Sequence, residues 1–312
     1  MEVVLKVSLS IFGNGDHSRE SFPRELENFL KFVDSELIHT IWFPERHAPH
    51  LSCHHCNPLL NIAFCSALDK KIHLGTGSLI PALHSPSSLF DQVQQISILS
   101  SNRLRVSVGA GWDQQEFERY EANFESRYEC LHSFTEILRQ DSYFRSAENL
   151  LTTISSSVSR WEEAGAQGLG VYCGVFGKDF STLRDLITRY RMQLVNSPNR
   201  HDSGWVACMT HFWAESSSSK EGNYPDKIKG YLKRHGSSSS LSQTNQELMV
   251  SKSIKRMTEK TGLIGPPDEI LNRLNKYKKA GVDELILLFE YTDSLDQETN
   301  QLLQLQDILR SI

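Results

Sequence analysis

Short apolar runs of strand length alternate along this chain with helix-length amphipathic stretches, and the alternation is kept from the N-terminus to about residue 214. Strands that are each followed by a helix pair in parallel, because the crossover returns the chain to start the next strand in the same direction. Residues 3–12 open the series as a strand ending at the turn 13–15, and 23–34 follow with Leu26, Phe29, Leu30 and Val33 at helical spacing. Strands are then predicted over 40–43, 72–79, 104–108, 150–154, 168–173, 205–213 and 281–289. Helices are predicted over 58–68, 86–100, 117–140, 158–166, 180–190 and 295–309. Eight such units predict an α/β fold, a (β/α)8 TIM barrel in a single domain over 1–312, for which ~250 residues plus insertions is ordinary. Residues 215–262 break the pattern with serine runs at 216–219 and 237–240, and are read as an insertion after the seventh strand and a candidate lid.

The formal net charge of −5 and pI near 6.2 give no field that would gather polyphosphate, so the expected partner is a small molecule and not nucleic acid. No basic and apolar leader opens the sequence, and no run approaches ~18 apolar residues, so neither a membrane span nor export is expected and the location is read as cytoplasmic. Six cysteines, at 53, 56, 65, 130, 173 and 208, fit a reduced protein better than a disulfide framework. Cys53 and Cys56, flanked by His50, His54 and His55, could supply zinc ligands, but no second ligand pair follows. The segment is read as a polar loop over the pocket, with no metal.

The second strand stops at Pro44 and is followed at once by Glu45, Arg46 and His47. Side chains at the carboxyl ends of barrel strands form the active-site rim. The three read either as an ion-paired rim or as catalytic groups, and His47 is the better proton carrier because imidazole titrates near neutrality and guanidinium does not. Ser155, Ser156 and Ser157, between the fifth strand and its helix, read either as a helix cap or as phosphate donors. His211 lies inside an apolar strand and receives no role.

Ile41-Trp-Phe-Pro-Glu-Arg-His47 resembles the WTPERHF signature of the luciferase-like flavin monooxygenases, in the branch linked to natural-product biosynthesis. Leu74-Gly-Thr-Gly-Ser-Leu-Ile-Pro-Ala-Leu-His-Ser-Pro86 is similar to the family's third strand and loop, and Asn102-Arg-Leu-Arg-Val-Ser-Val-Gly-Ala-Gly-Trp112 to its GRVGLSFASGW. Leu263-Ile-Gly-Pro-Pro-Asp-Glu and Gly281-Val-Asp-Glu284 are similar to LIGTPEE and GVDE. The resemblance implies an FMN-dependent monooxygenase that uses dioxygen and reduced FMN supplied by a separate reductase, acting on a natural-product or carrier-protein-bound intermediate. By the same resemblance His47, Arg46 and Glu45 are catalytic. Thr76, Gly77, Ser78, Gly109, Ala110 and Gly111 let the flavin ring approach the backbone, Arg127 joins Ser155, Ser156 and Ser157 at the phosphate, and Asn57 and His84 line the substrate pocket. A homo- or heterodimer is implied as well. The chain departs from the family in a short link between Leu138 and Leu150, in Ser88 and Gln92 where an ion pair would stand, and in the missing polar side chain of Val108-Gly-Ala-Gly-Trp112. These departures imply an alternative, a catalytically weak barrel serving as the non-catalytic partner subunit of an active homologue.

Overall fold

The protein is described here by a computed structural model, over residues 4–12, 21–47, 57–68, 71–155, 157–175, 178–215, 228, 250–252, 254–288 and 295–312. In chain order the elements are β1 (Lys6–Ser10), α1 (Phe22–Phe32), β2 (Ile38–Phe43), α2 (Pro58–Leu68), β3 (His73–Leu79), α3 (Pro86–Leu99) and β4 (Leu104–Val108). Next come α4 (Gln114–Arg119), α5 (Arg127–Leu138), β5 (Leu150–Ile154), α6 (Val158–Gln167), β6 (Gly170–Gly174), α7 (Phe180–Val195) and β7 (Val206–Ala214). The chain closes with β8 (Leu263–Gly265), α8 (Pro267–Ala280), β9 (Glu284–Leu288) and α9 (Leu295–Arg310).

Strands β1 to β7 pair in sequence, all parallel, and β9 joins β7 to β1, with Ala207 opposite Glu284 and Lys6 opposite Glu284. The expected eight-stranded barrel therefore closes. The short β8 stands outside it, bonded to β7 alone through Phe212 and Leu263, and places the Leu263-Ile-Gly block against the barrel wall. Each helix lays its apolar face on the strands: Phe22, Leu26, Phe29 and Leu30 of α1 are buried, and α1 packs on α9. Gly168 and Gly281, at φ 70° and 92°, end α6 and α8 in the left-handed conformation that a residue without Cβ adopts at little cost.

The single helix expected over 117–140 is two, α4 and α5. Glu121 sits at φ 53°, and the Asn123 side chain accepts the Glu125 N–H at 2.9 Å, a local turn that competes with the helical hydrogen bond. The link from α5 to β5 is short, as the sequence implied, and holds one tight turn at Ser142–Arg145 capped by Asp141. Ser88 and Gln92 are joined on α3 by a hydrogen bond of 3.1 Å. Most of the candidate lid 215–262 lies outside the described residues; within it, Met257–Thr261 form one π-helical turn before β8.

The lower half of the barrel interior is filled by a polar plug. Glu284 accepts from Ser8 Oγ at 2.5 Å and Trp42 Nε1 at 2.9 Å on one oxygen, and from Arg105 at 2.7 Å and Trp205 Nε1 at 2.8 Å on the other. Arg105 and Glu284 are both 0% exposed. The Arg105 guanidinium lies 4.9 Å from the Trp42 ring, and Trp42 meets the edge of Tyr172 at 5.2 Å, so a column of stacked groups rises from the plug to the open end of the barrel.

Candidate functional site

At the carboxyl ends of the strands a cavity of about 580 Å³ opens, within the range of small-molecule sites. Tyr172 and Gly77 form its floor, Gly109, Ala110, Gly111 and Ser78 one wall, and Arg46, Phe12 and Met209 another. A Cβ on Gly77 would lie 2.7 Å from the Tyr172 hydroxyl, and one on Gly109 would lie 2.5 Å from Ser78 Oγ. The cavity keeps its depth because these two positions carry no side chain. The Gly77–Ser78 peptide is cis.

The Glu45–Arg46–His47 run divides its work. Arg46 borders the cavity with its guanidinium 4.4 Å from the Phe12 ring centroid and makes no hydrogen bond among the described residues. His47 is turned away from the cavity. Its Nε2 is 2.8 Å from Glu45 Oε1 and its Nδ1 2.9 Å from the Tyr120 hydroxyl, while its N–H donates to Glu116 and its carbonyl accepts from Arg119. Four fixed contacts make His47 a buried anchor, so the placement differs from the proton-carrying position the sequence suggested. Glu45 also receives His84 Nε2 at 2.6 Å and the Ile80 N–H at 2.6 Å, which ties the loop after β2 to the loop after β3. Burial opposes the charge on Glu45, but the His47 and His84 hydrogen bonds outweigh it and hold the carboxyl below its ordinary value. Glu45 therefore stays an anion and works as a positioning group.

Several expected site residues stand elsewhere. Thr76 spends its hydroxyl on the Ser107 backbone across the β3–β4 seam. Asn57 caps α2, accepting the Leu59 N–H at 2.9 Å, and His84 lies behind Glu45; neither borders the cavity. Arg127 is folded onto its own turn: it donates to the Phe124 carbonyl at 2.7 Å and stacks over the Phe124 ring at 3.8 Å, because the break between α4 and α5 brings residue 124 against it. Ser155 borders the cavity, Ser156 lies outside the described residues, and Ser157 occupies the cap position of α6. Ser157 makes no capping bond, and its hydroxyl pairs with Ser159 at 2.9 Å.

The guanidinium that does reach the cavity beside Ser155 is Arg160, in the first turn of α6, held at 2.7 Å by Glu163 and stacked 4.1 Å from Tyr128. Sequence reasoning passed over it, although an arginine shortly after a serine run at a helix start is a visible signal. Lys178 and Trp112 also border the cavity, Trp112 being 68% exposed. The residues present fit a flavin mononucleotide. A glycine-walled chamber can take the ring, and Arg160, Ser155 and the uncapped start of α6 can hold a phosphate. The cysteine and histidine cluster 50–56 lies outside the described residues. Among those described, no group of three or more His, Cys, Asp or Glu could hold a metal, and no helix is long and apolar enough to cross a membrane.

Residues 5–143 match the sequence model of the family described as luciferase-like monooxygenase. An uncharacterized protein, y4vJ of Sinorhizobium fredii, is 32% identical over 111 residues, which cover 34% of this chain and 31% of that protein. The oxygenase component of the flavin-dependent trigonelline monooxygenase of Acinetobacter baylyi is 30% identical over 95 residues, 30% of this chain and 26% of that one. The matched stretch thus spans less than a third of either relative's length. The oxygenating constituent of 3,6-diketocamphane monooxygenase of Pseudomonas putida, solved in complex with FMN, shares the fold at a TM-score of 0.69 and 15% identity, over 98% of this chain and 96% of that one. The coenzyme F420-dependent tetrahydromethanopterin reductase of Methanopyrus kandleri does so at a TM-score of 0.66 and 15% identity, over 91% and 93%.

Proposed function

We propose, from the match of residues 5–143 to the luciferase-like monooxygenase model, that this chain is a member of that family and an FMN-dependent monooxygenase acting on a natural-product intermediate, free or carrier-bound. The observation that carries the reading is that one cavity joins a glycine-walled chamber for a flat ring to a phosphate-type corner at the start of α6. Reduced FMN held in this cavity, delivered by a separate reductase, would supply the two electrons needed for one atom of dioxygen to enter the substrate while the other leaves as water. The chain's own residues bind and orient. Arg160 and Ser155 hold the phosphate, Tyr172 and Gly77 support the ring, and Arg46 presents a permanent positive charge to negative charge developing in the chamber. Glu45, His47 and Tyr120 fix the loop that carries Arg46.

Replacing Arg160 with Ala should weaken FMN binding about tenfold or more, the worth of one charge-assisted hydrogen bond. Riboflavin, which lacks the phosphate, should bind both forms alike. Titration by flavin fluorescence quenching decides the matter, and equal losses for the two ligands would remove the phosphate assignment.

A second reading, a non-catalytic partner subunit, is favoured by one observation: Arg127 is turned onto Phe124 and not toward the serines. Failure to bind FMN at millimolar concentration would support that reading. Either reading involves a dimer, and α2 offers a face for it, with Leu60, Phe64 and Leu68 exposed at four-residue intervals on a helix that is apolar nearly all round. Phe64→Glu should shift the mass measured by light scattering from dimer to monomer. An unchanged mass would place any dimer contact elsewhere.

A further inference from the structure

In a closed barrel the outward-facing residues of a strand are covered by the helices on either side of it. At β5 they are not. Thr153 faces inward and bonds Ser107 Oγ at 2.8 Å, so Thr152 faces outward, yet both border the cavity and Thr152 is only partly buried. The cavity therefore passes around the carboxyl end of β5 and continues outside the barrel wall. It runs between α5 and α6 as far as Gln167 and Leu169, at the far end of α6. A helix of ten residues is about 15 Å long, and the slot follows it from Arg160 to Gln167.

The two helices leave this space because no close helix packing joins them, whereas α6 packs tightly on α7. Polar side chains bridge the gap instead. Arg160 stacks on Tyr128, His132 Nε2 lies 3.2 Å from Glu163, Gln167 Nε2 lies 3.2 Å from His132 Nδ1, and Arg139 donates to the Gln167 carbonyl. These bridges are partly exposed and roof the slot. Beneath them Leu131, Ala164, Ile154 and Leu169 supply apolar walls, and at the far end Thr135, whose hydroxyl donates to the Leu131 carbonyl, and the half-exposed Gln167, whose amide nitrogen lies against His132, keep oxygens able to accept a hydrogen bond. Glu163 is paired with Arg160 at 2.7 Å and lies 3.2 Å from His132, so among the described residues beyond Arg160 the slot presents no free carboxylate to a ligand.

We propose that this slot is a second arm of the binding site, which takes the tail of a linear, uncharged substrate ending in a hydrogen-bonding group such as a primary amide. The proposal rests on the flavin reading for the main chamber, and assigns Thr152, Thr135 and Gln167 to substrate length and tail selection. The apolar walls hold the methylenes, and the Gln167 side-chain amide meets the polar tail.

Calorimetric titration of the whole protein with butanamide and octanamide, with and without saturating FMN, tests it. Octanamide should bind at least about tenfold tighter, because four more methylenes leave water. Thr152→Phe, which fills the slot at its middle, should reduce that preference to less than about twofold while FMN affinity stays unchanged. Gln167→Leu, at the half-exposed end, should leave the length preference and remove a preference for octanamide over N,N-dimethyloctanamide, which has no N–H to donate. Equal affinity for the two chain lengths, or a length preference that survives Thr152→Phe in a protein whose melting temperature is unchanged, overturns the proposal. A length preference seen without FMN, in a protein that never takes up FMN, would keep the slot and discard the flavin reading.

Discussion

Glu284→Gln should lower the stability of the barrel by about 3–5 kcal/mol in urea denaturation, because it leaves the Arg105 guanidinium buried without a counter-charge. The effect is large here because both partners are 0% exposed and because four donors, from Ser8, Trp42, Arg105 and Trp205, converge on one carboxylate. An amide can accept on one side only, so at least one of those donors loses its partner as well. Arg105→Met together with Glu284→Gln should cost less than the two single changes added, since the second removes a charge the first had already stranded. A loss below about 1 kcal/mol for Glu284→Gln would show that the plug is hydrated and not the dry ion pair described.

The same plug sets the acid limit of the fold. Burial works against the Glu284 charge, but the Arg105 guanidinium, with His39 and the hydrogen bonds from Ser8 and Trp205, outweighs it and holds the carboxyl down at about 2, against an ordinary 4.5. A carboxyl whose folded value lies below its unfolded one contributes stability above the unfolded value and loses it as the pH falls through the folded one. His73, pushed down to about 4 by burial, by His39 and by Arg105, acts in the same direction and starts earlier, from its ordinary 6.5. Stability should therefore decline from about pH 6.5 and more steeply from about pH 4.5 to 2. Denaturation midpoints collected across that range check the two stages.

Gly77→Val should reduce FMN affinity by about a hundredfold, the upper end of what overpacking a formed site costs at 1–3 kcal/mol. The first added carbon already falls 2.7 Å from the Tyr172 hydroxyl, and Tyr172 cannot retreat because its ring is set against Trp42 at 5.2 Å. The branched side chain is then left in the chamber where the ring would lie. Gly75→Ala makes the control: its added carbon would stand 2.3 Å from the Trp42 ring, below the floor. That change should destabilise the barrel and leave the flavin affinity of the folded fraction as it was. Similar affinity losses from both changes would mean that Gly77 acts through the fold and not as a wall of the site.

The barrel was legible because its signal is local and repeated. Each strand and helix announces itself within about ten residues by the period of its apolar positions, and the parallel connection follows from the alternation. The break between α4 and α5 escaped that signal, since apolar spacing runs on through 117–140 and only the Asn123 turn interrupts it. β8 escaped as well, as a strand of three residues carries no period.

For the site, the sequence located the rim at 44–47, the glycine wall at 77 and 109–111 and the serine corner at 155, all of which border the cavity apart from His47. What it could not assign was direction. Three consecutive residues after a strand point to different sides, and only the placement of Tyr120, Glu116 and His84 turns His47 into the interior and leaves Arg46 facing the chamber. Arg127 and Arg160 are alike as sequence signals, one guanidinium near the start of each of two neighbouring helices. The fold around Phe124 withdraws the first, and the unpacked seam between α5 and α6 admits the second. The sequence by itself determined the architecture and the end of the barrel where chemistry belongs, since both depend on periodicity and chain order. Which side chains meet there was decided by tertiary packing, because a contact such as that of Arg105 with Glu284 joins residues 179 apart that no local pattern relates.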